Sequence, residues 1–584
     1  GQGIAGFGLV VRRDQIDNQR RGTVARSDDR KVHPYIPKLV EQLEERRIHR
    51  REFLRTATLL GVSSAAAYGM AGRILGENLV DPALAQGTPK TGGVFRVAMQ
   101  VQKMEDPATY AWVEMSNQSR HTIEYLAITG PDNVTRPMLA ESWEASDDLK
   151  TWTFHLRQGV MWHNGDEFTS DDVLFNVNRW LDPDLGSSNV GLSTFASMLE
   201  EKDGKKTMIP GSVEAPDKYT VRFNLSKPVL SVPEDCYNYP TAILHRSFKP
   251  PLSDNMIGTG PYQMTELVVG DRCILKRFTE MTNGQPFKYW GDEPYLDEIH
   301  YYNFDEDNQL TAFASGDVDS IYEFGIEQYA LAEALESQGQ IVTARTAQTL
   351  CCRFQIDQKP FDNEKLRQAI IKATDNTVYR ELVFQGRGDV GENMHVAPIH
   401  PEYFQLPPLV RDVEAAKKLL EEAGYPDGIE LTIDVGNTDG PWHQTVTEIW
   451  RDQLKDAGIN LNINVMPPSK YWEIWDKTPF GATAWTHRPL GTMVLSLGYR
   501  TGVPWNETHY ASAEFDAALD DAEATLDVDA RTAKMEKVEK LLQDAAVMVQ
   551  PVWRPVFTIV ANKVQDYKAH PTQYHQFNKV WIEA

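Results

Sequence analysis

Fourteen histidines and 83 carboxylates in 584 residues guarantee chance acid–base pairs, so only spacing that enforces a geometry carries weight. Zinc-assisted hydrolysis on a helix needs His-Glu-x-x-His, and a hydrolase serine needs the sharp turn of Gly-x-Ser-x-Gly; the chain contains neither. Cys236, Cys273, Cys351 and Cys352 fit no zinc spacing. In an oxidising compartment Cys236 and Cys273 could pair, and buried free thiols are the equal alternative. Asp305-Glu306-Asp307 offers oxygen ligands but lacks the spaced acids and glycine of a calcium loop, so it reads as the solvated start of a helix. Gly1-Gln2-Gly3-Ile4-Ala5-Gly6 has the glycines of a dinucleotide turn with no strand before it. What remains is aromatic: 14 Trp, 22 Tyr and 22 Phe. Such rings stack on sugars, other rings or cations, and Trp keeps an N–H to donate. The rings and the missing motifs leave a binding protein and a hydrolase both open, and no residue pattern calls for a metal or cofactor.

The elements that must position these groups are those of a large folded body. With 41% apolar and 24% charged residues the chain buries a core, and its length suits three or four domains. A net charge of −24 excludes nucleic acid as a general partner, because phosphates repel it, and favours a monomer. Residues 1–85 differ, with 14 Lys and Arg against 10 Asp and Glu, which leaves −28 on the rest. There, His49-Arg50-Arg51-Glu52-Phe53-Leu54-Arg55 resembles a twin-arginine export signal, carried by Arg50, Arg51, Phe53 and Leu54. A modest apolar run, 56–71, follows, and Ala83-Leu84-Ala85 has the small-x-small form of a cleavage site. No cysteine lies near it to take a lipid, and no other run reaches 18 apolar residues. The expectation is a precursor that meets the twin-arginine translocon already folded and yields a soluble periplasmic protein of 499 residues.

Along that body, Gly92-Gly93 turns into a strand at 94–98. Trp152, Phe154 and Leu156 alternate with polar residues, as do Val221, Phe223 and Leu225, giving half-buried strands. Thr169 and Asp172 form a capping box for a helix with Val173, Val177, Trp180 and Leu181 on one face. Asp362 and Asp412 cap two further helices, and Met535, Val538, Leu541 and Leu542 line a late one. Strands through Leu431–Val435 and Leu461–Val465, with a helix between, read as a parallel strand–helix–strand unit.

Several segments in order resemble family 5 of the extracellular solute-binding proteins, which serve ABC importers. They include Leu139-Ala140-Glu141-Ser142-Trp143-Glu144, Thr151 to Val160, Trp162-His163-Asn164-Gly165-Asp166 through Val173, and Ile257-Gly258-Thr259-Gly260-Pro261-Tyr262. Ser315-Gly316-Asp317-Val318-Asp319, Lys365 to Ala369, and Ala415 to Gly424 continue the match. The resemblance implies an α/β, two-lobed flytrap with an extra α+β domain on the first lobe. It places lobe one at 90–123, 258–347 and 557–584, the extra domain at 124–257 and lobe two at 348–556, with hinges near Thr349–Ile356 and Pro551–Pro555. A peptide-like or other small polar solute is captured by closure and handed to membrane permease subunits; opines, oligosaccharides and metal or haem complexes are the alternatives.

Peptide-binding members carry an acid beside a Trp to meet the ligand's amine. The matching stretch here, Ala484 to Gly491, has Trp485 followed by His487 and Arg488 and no acid. Where some members hold an arginine for the carboxylate, this chain has Asn437, Asp439 and Trp442. The polarity is therefore reversed: Arg488 suits an anionic group and Asp439 an amine or hydroxyl, unless the two pair structurally with each other or with other side chains. The resemblance adds Trp505 and Asn506, the loop bearing Met104 and Glu105, and Tyr237 and Tyr239 as contacts. Trp472 and Trp475, three apart on a helix, read as core.

Overall fold

The computed structural model describes residues 32–84, 87–287, 289–291 and 293–583; Gly1–Gly6 and Ala85 of the cleavage motif lie outside them. A twelve-stranded sheet runs through the molecule. On one side Val94–Ala98 pairs in parallel with Glu298–Tyr302 and with Ser320–Ile321, and the hairpin Tyr262–Val268/Arg272–Arg277 extends the edge. On the other side Ile429–Val435 pairs in parallel with Ile459–Val465, from Ile429↔Ile459 to Val435↔Val465, and with Phe480–Trp485. The helix between them, Trp442–Lys455, buries Val446, Trp450 and Leu454 on this half-sheet, as the strand–helix–strand reading requires.

Two long antiparallel strands, Gly339–Phe354 and Val552–Ala561, join the halves. Their pairing is regular from Gly339↔Ala561 to Ala344↔Val556, breaks, and resumes at Gln348↔Arg554. The interruption therefore spans 345–347, just before the stretch expected to bend; Thr349–Phe354 is in unbroken register with Trp485–Phe480. Beside the first half stands a four-stranded sheet of Ala140–Ala145, Thr151–Leu156, Thr220–Asn224 and Val213–Asp217. It buries Trp152, Phe154, Val221 and Phe223 against Ser170–Trp180, whose capping box of Thr169 and Asp172 is formed.

Gly258 and Gly260 explain their place in the motif. A Cβ on Gly258 would stand 1.8 Å from the Thr122 carbonyl oxygen, and on Gly260 2.6 Å from that of His121, so backbone occupies the space a side chain needs. The cap of the 364–372 helix is Asn363 rather than Asp362; its side chain accepts from the Leu366 amide. Asp412 does cap its helix, accepting from Ala415. All four cysteines are buried free thiols, so the Cys236–Cys273 pairing is not made. Among the described residues no helix is long and apolar enough to cross a membrane.

Candidate functional site

A cavity of about 50 Å³ opens where the two half-sheets meet, outside the carboxyl ends of their parallel strands. Crossover connections leave loops and helix starts at that end of each strand, so polar groups gather there in α/β sheets. Beyond Val94–Ala98 come Trp112, just before the helix Val113–Ser119, and Glu114 in its first turn; directly after Ser320–Ile321 comes Tyr322. From the second half, Thr438 and Asp439 follow Ile429–Val435, and Arg488 follows Phe480–Trp485.

Aromatic rings make the walls. Trp112 meets Trp472 edge-on at 5.6 Å, Trp472 meets Trp475 at 6.1 Å, and Trp485 meets Trp505 at 6.1 Å. Glu507 holds Trp485 by accepting its indole N–H at 2.8 Å, and the other oxygen of Glu507 is taken by Arg353 at 2.8 Å. Trp472 and Trp475, expected in a core, thus line the cavity.

The polar groups divide by charge. Arg488 is 3% exposed, and its guanidinium lies 5.4 Å from the Tyr239 ring centre and 5.9 Å from that of Trp505. One Nη donates to the Thr486 carbonyl at 3.1 Å, and Nε has no hydrogen-bond partner. No carboxylate of the described residues pairs with it, although a buried guanidinium demands an anion. Asp439 is not its partner; Asp439 lies 3.6 Å from Arg554. Arg554 is already held by Glu323 at 2.7 and 3.3 Å and by Gln348 at 2.9 Å. Glu114 faces the same end, and the Glu306 carboxylate reaches over the Asp439 loop, 3.8 Å from where a Gly440 Cβ would stand. Glu306 is thus no plain solvated helix start. Four carboxylates around one guanidinium leave surplus negative charge. Burial, with Asp439 next, pushes the Glu114 carboxyl up to about 7. Burial pushes Asp439 to about 6 against the pull of Arg554, and burial with Glu323 raises Glu306 well above the carboxylate range.

The remaining expected contacts lie elsewhere. Met104 is 1% exposed in the first-half core, and Glu105 sits near the surface against Lys103. Trp442 is buried in the second-half core and donates to the Asp439 carbonyl at 3.0 Å, shaping that loop. Asn437, at φ +46°, accepts from the Gln444 amide at 3.0 Å and turns the same loop. Asn506 donates to the Arg500 and Tyr510 carbonyls and braces the Trp505 loop. Tyr237 and His487 line a second cavity of about 10 Å³ behind Arg488, room for about one water. His487 accepts from the Ala347 amide at 2.9 Å and contacts Asn133 at 3.0 Å; burial holds its pKa well down, so it is neutral. Tyr239, Asp439, Trp485, Arg488 and Trp505 are the expected residues that the fold brings together. Sequence reasoning missed Trp112, Glu114, Tyr322, Glu323 and Arg554. Tyr322 had a positional signal, since it directly follows the parallel strand Ser320–Ile321; Glu114, 16 residues beyond Ala98, had none.

A cleft between two half-sheets, lined by rings and by separated charges, defines a two-lobed α/β binding protein. Residues 134–498 match the bacterial extracellular solute-binding proteins, family 5 (middle region), and the chain belongs to that family. It is 28% identical over 483 residues to heme-binding protein A of Haemophilus influenzae, covering 77% of this chain and 84% of that protein. It is 26% identical over 503 residues to the periplasmic oligopeptide-binding protein OppA of Salmonella typhimurium, covering 80% and 88%. Among solved structures, the murein tripeptide binding protein MppA of Escherichia coli superposes with a TM-score of 0.74 at 20% identity, over 85% of this chain and 99% of that one. The fold is thus that of the two-lobed periplasmic binding proteins.

Proposed function

We propose that this chain is the periplasmic substrate-binding component of an ABC importer and captures a small peptide-like solute that carries an anionic group and a cationic one. The carrying observation is Arg488, a buried guanidinium that faces the cavity without a carboxylate partner. Glu114 and Asp439 sit in the same cavity and receive the cation. The lobes are 90–123 with 258–347 and 557–584, and 348–556, with 124–257 as the extra domain. The break in strand pairing at 345–347 is the crossover about which they turn. A solute that touches both lobes binds the closed form preferentially and shifts the population; moving it from 1:99 to 99:1 takes about 5.5 kcal/mol of differential binding. The closed form docks on the permease, and the solute leaves chemically unchanged. Export through the twin-arginine translocon, led by Arg50 and Arg51, and a monomeric periplasmic form complete the reading.

Native mass spectrometry of the protein purified without denaturation identifies the co-purified solute, and calorimetry then measures it against Arg488→Ala. The expected loss is about 30-fold or more, since removing one partner of a buried charge pair costs about 2 kcal/mol at least. Unchanged affinity in the variant, or turnover of the solute, overturns the proposal.

A further inference from the structure

Residues 33–82 belong to no lobe, yet they are built into the molecule. Helices Ile36–Glu44, Arg50–Leu59 and Ser64–Leu75 pack on each other through Leu39, Leu43, Phe53, Leu54, Ala57 and Ala67. That cluster reaches outward to Val134 beside the four-stranded sheet and to Val528 at the start of the long helix Val528–Asp544. These two residues lie on opposite sides of the proposed motion.

The polar contacts divide the same way. Toward the extra domain, Trp143 donates its indole N–H to the Leu59 carbonyl at 3.1 Å, Tyr68 donates to Asp132 at 2.6 Å, and Asp81 meets Arg136 at 2.6 Å. Arg55 meets Glu234 at 3.2 Å, both buried. Toward the second lobe, Lys38 meets Asp527 at 2.6 Å, Arg47 meets Asp529 at 2.7 Å, and Tyr35 accepts from the Val528 amide at 3.2 Å. Arg51 donates to the Ile399 carbonyl at 3.2 Å, and Glu52 meets Arg531, both buried. Glu52 and Arg55, three residues apart on one helix, therefore clasp partners from the two sides, 3.6 Å from each other.

We propose that residues 33–82 are a strap that ties the extra domain to the second lobe and holds the clamp shut, so that solute exchange requires the strap to undock or be cut away. The proposal rests on the two-lobed capture reading. A lobe that swings open with the strap in place must strip Glu52 from Arg531 or Arg55 from Glu234, and must part the strap's apolar cluster from Val134 or from Val528. With the strap already undocked, opening breaks none of these contacts. Direct ties remain as well: Ser193–Ser496 at 2.7 Å, Lys227–Asp520 at 2.8 Å, and apolar side chains of the extra domain such as Leu192 and Phe195, which share one cluster with Met493, Leu497 and Phe515 of the second lobe, so the strap reinforces a closure that the two sides also make directly. The docked strap also leaves Arg50 and Arg51 exposed while hiding Phe53 and Leu54, so the folded precursor shows half of its export motif.

The test places spin labels on the full chain at Val269→Cys and Leu382→Cys, exposed positions on opposite halves; the native cysteines are buried and stay unlabelled. Pulsed dipolar spectroscopy reads the distance. The unmodified strap gives one narrow distance, and Glu52→Lys, which sets like charges against Arg531 and Arg55, adds a longer one. Combining Glu52→Lys with Arg531→Glu restores the pair and the single distance, which separates undocking from misfolding. A chain carrying Glu52→Lys and a protease site inserted at 84–88, cut after folding and freed of its strap, gives the longer distance too. A longer population already present with the strap protease-protected, or one unchanged narrow distance after strap removal, overturns the proposal. Either result leaves the mass-spectrometric test of solute capture untouched.

Discussion

Glu114 and Asp439 come from opposite halves and carry raised pKa values, about 7 and about 6, mainly because closure buries them. The sign of the resulting pH dependence follows. A carboxyl raised in the folded state keeps its proton where the unfolded chain, near 4.5, has released it. That contribution to stability is present at low pH and is lost as pH rises from about 4.5 through about 7. Glu114→Gln removes it, so the variant's melting temperature should rise relative to wild type across that window and hold its lead above it. Calorimetric melts from pH 4.5 to 8 check this, and a constant difference contradicts it. A cationic solute reverses the penalty: its affinity should rise with pH through 6–7 and flatten in the variant.

At the scale of elements, the Gly258–Gly260 turn and the Thr169 cap are the points where a single atom decides local structure. Gly258→Ala drives a Cβ into the Thr122 backbone, and urea unfolding should show a loss of about 1–3 kcal/mol, as overpacking does. Thr169→Ala removes a side chain that accepts from the Asp171 amide, and should cost about 1 kcal/mol without altering solute affinity. These elements were legible because their signals are local. Alternation of Trp152, Phe154 and Leu156 and the Thr169-Asp172 spacing depend only on pleat and helix pitch. The Asp362 cap failed by one residue, because Asp362 and Asn363 are equally good acceptors and only the chain's path into Glu364–Lys372 selects Asn363.

For the whole molecule, the two strands Gly339–Phe354 and Val552–Ala561 are the physical link between halves, and their register break carries the proposed motion. A solute present at 100 times its dissociation constant adds about 2.7 kcal/mol to the stability of the closed form. Thermal-shift screening should therefore find solutes with both charges and pass over their singly charged analogues. Equal shifts for both kinds contradict the bipolar site.

Residue order alone determined the α/β class, most strands and helices, the membership carried by segments from Leu139 to Gly424, and the presence of Arg488 close after Trp485. Each of these is written in neighbours a few positions apart. Tertiary structure decided which groups share the cavity: it brought in Trp112, Glu114, Tyr322, Trp472 and Trp475, and sent Met104 and Trp442 to cores. It also set Asp439 beside Arg554 instead of Arg488, and docked residues 33–82 on the body. Such convergence depends on crossovers that bring positions 114, 322, 439 and 488 to one edge of the sheet, and no periodicity of 2 or 3.6 residues encodes contacts over those separations.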